Sequence, residues 1–408
     1  MTSALFTCEH SAMSNTQKQD KAASRVVIIG AGVAGLTLAT LLTQSGVDCV
    51  VVERRDRGYI EQRNRAGVVE ARGVDMFERW GLAERLLAGP VAQTIDYRVN
   101  GVPEMFTIDM EGRQPSRFCT QQMLVNNLLH VFLDEMGGDV RFETTDVVVG
   151  NEDGQRPSVA FSDADGRHEI ECDYIVGSDG DRGVSRASIP DGVLTKYSYE
   201  FGYAWLAALV EAPVTGAAIM APSDHGFVGQ LPRGPQRSRY YLQCELSDTA
   251  EDWPDERIWN EIRLRLNDDS IQSAEVHEVF FVPLRSVVYS PMRYRNLFLA
   301  GDAAHLVPPA SAKGMNLALF DVDTLALALV SAVRDGDAEA LGVYSDTCLE
   351  RVWNYQDFAL WMTDTMHNAG DPTQHGAFLQ MTARARLAQL HASPTAARLH
   401  AEYQLGLN

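Results

Sequence analysis

The chain has 408 residues, with 35 Lys plus Arg against 55 Asp plus Glu and a formal net charge of −20. Phosphate backbones and anionic lipid repel such a chain, which disfavours nucleic-acid and membrane-surface roles. No run of 18 apolar residues marks a membrane span, and six dispersed cysteines (Cys8, Cys49, Cys119, Cys172, Cys244, Cys348) without a C-x-x-C pair argue against a disulfide framework or a metal site.

Residues 1–24 lack the apolar centre of an export signal and read as a disordered tail on a cytoplasmic protein. Arg25-Val26-Val27-Ile28-Ile29 has the β-branched run of a buried parallel strand. It leads into Gly30-Ala31-Gly32-Val33-Ala34-Gly35, a helical pattern from Leu36 to Ser45, and a second buried strand, Cys49–Glu53. Helices are expected over Ala71–Leu87 and Gln121–Met136, and strands around Val147–Val149, Ser158–Phe161 and Glu169–Val176. From Ser198 to Pro283 the pattern becomes that of a mixed sheet, with one helix near Glu256–Leu266. A buried strand returns at Leu297–Ala300, a long helix follows over Asn316–Arg334, and helices fill the C-terminal region.

The first chemical motif is Gly30-x-Gly32-x-x-Gly35. Its glycines permit a tight turn, close approach of a pyrophosphate and close helix–strand packing, and the helix N-terminus attracts the negative charge. Ala34 lies inside that turn, and Glu53 ends the next strand, where an acid can bind ribose hydroxyls. The second is Gly301-Asp302, followed by His305, Pro308-Pro309 and Lys313-Gly314-Met315-Asn316. An aspartate at a strand end can hold a flavin's ribityl hydroxyls, while a helix starting near Gly314 aims its positive end at the isoalloxazine. The third, Asp179-Gly180, is an ordinary turn dipeptide on its own. Its weight comes from lying between the other two.

In that order the three motifs resemble the fingerprints of class A flavoprotein monooxygenases. Arg63-Asn64-Arg65, Glu251-Asp252-Trp253, Pro283-Leu284-Arg285-Ser286 and Gly301 to His305 are similar to the para-hydroxybenzoate hydroxylase branch, and the resemblance runs from Arg25 to Tyr403. It implies an α/β, glutathione-reductase-like FAD-binding fold with an inserted mixed-sheet substrate domain. The expected FAD domain comprises 25–92, 120–197 and 284–335, and the substrate domain 93–119 and 198–283. The helical region 336–408 is expected to carry homodimer contacts. NAD(P)H would reduce non-covalent FAD, and oxygen would add to give a flavin C4a-hydroperoxide that hydroxylates a small aromatic acid.

Residue by residue, the resemblance gives Glu53 the adenosine ribose, Arg65 the pyrophosphate, Gln121 the flavin side and Asp302 the ribityl chain, with Arg63 a further cofactor contact. Arg54, Tyr59, Arg182 and Arg285 fall at NAD(P)H positions. Arg233 falls on the substrate-carboxylate clamp, Tyr241 and Pro309 on further substrate contacts, and Tyr403 on a relay tyrosine. The departures are Met220 in place of the tyrosine that deprotonates the substrate phenol, Leu231 in place of a serine, and Gln93 in place of the relay histidine. An electron-rich ring, such as an amino-hydroxybenzoate, would need that relay less than a plain 4-hydroxybenzoate. A reductase on the same fold that does not use oxygen is the rival reading. A flavin-dependent halogenase would need a W-x-W-x-I-P motif, which is missing.

Overall fold

The computed structural model of the chain describes residues 21–63, 67–87, 89, 95–104, 116–151, 155–212, 218–233, 236–367 and 374–406. Val26–Ile29 is buried at every position, as a strand covered on both faces must be. It lies inside a six-stranded sheet ordered Arg293–Tyr294, Leu297–Leu299, Tyr174–Gly177, Val26–Ile29, Cys49–Val52, Asp139–Arg141. All neighbours are parallel except at the Arg293 edge. The helices Val33–Gln44 and Gly314–Arg334 pack on each other beside this sheet. Gly314–Arg334 is long and apolar enough to cross a membrane, yet most of its surface is buried inside the protein and it carries two buried aspartates, Asp321 and Asp323.

The second large sheet has eight strands, in the order His305–Leu306, Val276–Ser290, Thr195–Val210, Ser238–Glu245, Gly226–Pro232, Ala218–Ser223, Ile95–Val99, Val102–Glu104. Side chains alternate across it with the period of two that a pleated strand imposes. Tyr203, Trp205, Ala207, Met220 and Tyr241 join the core shared with the C-terminal helices. Their neighbours Ala204, Leu206, Ala208, Ile219, Ala221, Tyr240 and Leu242 pack on the opposite face against the helix Asp255–Leu266.

Several expectations need correction. The tail does not stay irregular up to residue 24: Lys21–Ala23 adds to Gly166–Glu171 as a parallel edge strand of a four-stranded sheet, and Ser24 is buried. The expected helix 71–87 breaks into Ala71–Arg79 and Ala83–Leu86, because Gly81 adopts φ +68° between them. The expected strand 169–176 is two strands in two sheets, separated at Cys172–Asp173. The strands Thr195–Val210 and Val276–Ser290 also run across the expected domain borders at 197 and 283.

Candidate active site

An open cleft lies where the parallel strands end, lined by Gly30, Gly32, Ala34, Glu53, Arg54, Tyr59, Arg63, Gln121, Asp179, Gly301, Asp302, Gly314 and Met315. Gly30 adopts φ +105°, and a Cβ there would lie 2.6 Å from the Ser178 carbonyl oxygen, so the turn requires glycine. Gly32 caps the following helix without a side-chain hydrogen bond, and open space lies where its Cβ would be. The first N–H groups of that helix therefore remain available to an anion. Glu53 is oriented by its own loop: Oε2 accepts from Ala31 N at 2.7 Å and Oε1 from Arg55 N at 2.9 Å. Asp179 Oδ2 accepts from Ser185 N and Oγ at 2.9 and 3.0 Å, whereas Oδ1 is buried without a partner. Burial raises the Asp179 pKa and the Ser185 hydrogen bonds oppose that rise. An uncapped helix start and an oriented acid at the end of the next strand, in one cleft, fit a bound FAD.

Two expected cofactor residues turn away from the cleft. Lys313 is fully buried, with Nζ 2.6 Å from Glu70 Oε1. The same ammonium donates to the carbonyls of Tyr403 and Gln404, and Tyr355 Oη donates to Glu70 Oε2 at 2.9 Å. Asn316 accepts from Glu70 N and donates to the Val68 carbonyl, each at 2.9 Å. Both residues thus brace the backbone behind the cleft and tie the C-terminal segment to it, while Gly314 and Met315 form its wall. Arg65 and Gln93 lie outside the described residues.

Of the four NAD(P)H candidates, Arg54 and Tyr59 are exposed at the cleft, with the Arg55 guanidinium 4.8 Å above the Tyr59 ring. Arg182 is exposed outside the cleft lining. Arg285 is bound to Asp181, which neutralises its charge in part.

The register of the eight-stranded sheet brings the substrate candidates together. Met220 pairs with Gly229, Gly229 with Tyr241, and Tyr241 with Ala207, so these four form one row. Leu231 packs against the same core as Met220 and Tyr241. Arg233 Nη2 donates to Tyr241 Oη at 3.0 Å and Nη1 to the Pro232 carbonyl at 2.7 Å; its Nε is buried without a partner. Burial lowers the Arg233 pKa; the contact with Tyr241 opposes this and the nearby Arg239 charge adds to it. Tyr403 stacks on Phe358 at 5.2 Å beside this core, and Pro309 is exposed next to the buried Ala310.

Three contributors escaped the sequence reading. Asp321 holds the Gly301 amide at 2.8 Å and His305 Nε2 at 2.7 Å. An aspartate inside an apolar helix was the available signal. Arg239 is buried and pairs with Glu278 at 2.7 Å. His367 accepts from Trp205 Nε1 at 2.6 Å and donates from Nδ1 to the Thr363 carbonyl at 2.7 Å. Burial pushes its pKa down to about 3, so it stays neutral in that tautomer. Trp205 lies 4.8 Å from Tyr241, which places the His367 contact one ring behind the Arg233–Tyr241 contact.

A protein-family model described as an FAD binding domain matches residues 23–359. The p-hydroxybenzoate hydroxylase of Acinetobacter baylyi is 36% identical over 352 residues, which is 84% of this chain and 86% of that one. A probable NADH-specific resorcinol 4-hydroxylase of Rhodococcus jostii is 29% identical over 318 residues, covering 74% of this chain and 58% of that one. The crystal structure of p-nitrophenol 4-monooxygenase from Pseudomonas putida superposes with a TM-score of 0.78 at 18% identity, covering 95% of this chain and 100% of that one. The chain belongs to the FAD-dependent aromatic hydroxylases, the class A flavin monooxygenases. It is accordingly an oxidoreductase with FAD as its cofactor.

Proposed function

We propose that the chain hydroxylates a benzoate-type phenol held through its carboxylate by Arg233, and that the ring carries a second electron donor, as an amino-hydroxybenzoate does. The observation that carries this reading is the Arg233 guanidinium, which is fixed by Tyr241 and Pro232 yet keeps a buried Nε without a partner. An incoming carboxylate supplies the missing acceptor and offsets the cost of burying the cation. Arg239, on a neighbouring strand position, adds positive charge to the same region.

FAD, when bound, supplies the electron transfer and oxygen activation, with NAD(P)H and oxygen as co-substrates. The protein's part is to orient the ring and exclude water. Trp205, Tyr203 and Phe227 build a buried apolar wall beside Tyr241. Met220, on that same face, offers a phenol no donor and only a weak thioether acceptor. A ring activated by its own amino or second hydroxyl group does not depend on deprotonation there. The 36% identity to an Acinetobacter p-hydroxybenzoate hydroxylase favours the plainer alternative, hydroxylation of 4-hydroxybenzoate itself.

The two readings separate in a panel of substituted benzoates, assayed for NAD(P)H oxidation and oxygen uptake with products identified by mass. An amino- or dihydroxybenzoate turned over fastest with tight coupling supports the first. 4-Hydroxybenzoate as the best-coupled substrate replaces it with the second.

A further inference from the structure

We propose that His367 is a positioning residue for the substrate: by accepting the Trp205 indole N–H it fixes the ring against which Tyr241 rests, and through Tyr241 it fixes the guanidinium of Arg233. The inference rests on the reading of Arg233 as the carboxylate clamp and names what holds that clamp in place.

The imidazole is itself tied down. His367 follows directly on the helix Glu339–Met366. The Thr363 carbonyl, in the last turn of that helix, accepts from the His367 backbone N–H at 3.1 Å and from Nδ1 at 2.7 Å. With the proton on Nδ1, the Nε2 lone pair is left as an acceptor. The ring packs against Phe227 and Tyr203, with centroids 4.6 and 5.2 Å away. Burial keeps it neutral, and a protonated imidazole would have no acceptor to offer.

Trp205 depends on that acceptor. Its indole N–H only donates, and the residue is 3% exposed, so water does not replace His367 Nε2 at 2.6 Å. Phe227 stacks on the indole at 5.2 Å with 11° between the planes, which sets the plane of the ring. The bond to His367 sets its direction within that plane. Tyr241 lies 4.8 Å from the same indole, and its hydroxyl accepts from Arg233 at 3.0 Å. Each link from His367 to Arg233 is thus a direct contact, and together they join the end of a C-terminal helix to the strands that carry the clamp.

The test is a double-mutant cycle of His367→Phe and Arg233→Ala on the FAD-loaded enzyme, assayed with whichever of 4-hydroxybenzoate and an amino-hydroxybenzoate is the better coupled. His367→Phe keeps a ring in the stack but removes the acceptor. It should raise KM for the aromatic acid about threefold to tenfold, change kcat less, and leave FAD affinity as in the parent. His367→Gln, the amide oxygen of which can reach the place of Nε2, should restore KM. Because His367 acts through Arg233, its replacement should add nothing to KM in the Arg233→Ala background. Indole N–H resonances of protein labelled at tryptophan nitrogen, assigned with Trp205→Phe, report the bond itself: the Trp205 signal should move upfield in His367→Phe and return in His367→Gln. If His367→Phe does not hold FAD, Trp205→Phe enters the cycle in its place, removing the donor instead of the acceptor. A KM effect that adds to that of Arg233→Ala, or a Trp205 signal indifferent to His367, overturns the proposal. Failure of the clamp reading shows separately, as a KM that Arg233→Ala alone leaves unchanged.

Discussion

The Asp321 carboxylate lies 2.7 Å from His305 Nε2, and both side chains are 1% exposed. Burial opposes the charged imidazole, but the charge and hydrogen bond of Asp321, together with the charge of Asp302, raise the His305 pKa above its usual value. Stabilisation from a raised histidine is complete below its unfolded pKa, about 6.5, and is lost as pH rises through the folded value. Removing one partner of a buried pair costs about 3–5 kcal/mol. Asp321→Ala should therefore destabilise the protein by that order near pH 6 and by less near pH 9. It should also weaken FAD binding, since the Gly301 amide loses its acceptor. Urea unfolding at both pH values checks this, and an equal loss at each would remove the ion pair from the account.

The Glu70–Lys313 pair makes a different demand. Burial pushes Glu70 up and Lys313 down, against the attraction between them. Each single replacement, Glu70→Gln or Lys313→Met, leaves a buried charge alone and should cost about 3–5 kcal/mol, whereas the double replacement should cost markedly less than their sum. A double-mutant cycle on the FAD-loaded protein measures the coupling. Strict additivity would mean that the two charges do not stabilise each other.

Glu53 and Asp302 both line the cofactor cleft. Replacing either with alanine should remove hydrogen bonds worth about 1–3 kcal/mol, weakening FAD roughly tenfold to a hundredfold. Flavin fluorescence on titration gives the constants. Retention of FAD by Asp302→Ala at parental affinity would remove the ribityl assignment.

Local chain chemistry made the cofactor half readable. Val26–Ile29 is apolar throughout because both its faces are covered, and Gly30 is glycine because of its backbone angle and the nearby Ser178 carbonyl. Glu53 could be picked out because it follows the next strand at the distance a β-α-β unit sets. The direction of the Lys313 side chain was not legible, because a Lys-Gly-Met-Asn run announces a helix start without saying where each side chain points. Its partner Glu70 lies 243 positions away. Asp321 and Arg239 were missed for the same reason: a polar residue in an apolar element shows its partner only once the elements pack. The break at Gly81 depends on a local choice, φ +68°, that a helical pattern leaves open.

Arg54 is exposed at the cleft, whereas Arg285 is already bound to Asp181. A preference for NADPH over NADH should therefore be modest and rest on Arg54. Arg54→Ala should reduce NADPH turnover at low ionic strength more than NADH turnover, and the difference should fade as salt screens the charge. Equal use of both coenzymes by the parent, unchanged in Arg54→Ala, would count against that role.

The substrate residues allow the most direct trial. Arg233→Ala removes a charge-assisted bond worth about 1.5–3 kcal/mol, so KM for the aromatic acid should rise about tenfold or more. The effect on kcat should be smaller, because the clamp holds substrate and transition state alike. Met220 and Leu231 belong to the same core as Tyr241, the hydroxyl of which holds Arg233. A phenol hydroxyl buried against Met220 lacks a partner and costs about 1–3 kcal/mol relative to a matched site. Met220→Tyr combined with Leu231→Ser supplies polar partners on that face and should shift the ratio of kcat/KM toward 4-hydroxybenzoate. Comparing the two substrates within each protein cancels any general loss of activity from repacking the core. An unchanged ratio, or a parent enzyme that already prefers 4-hydroxybenzoate with tight coupling, would show that Met220 does not set the choice of ring.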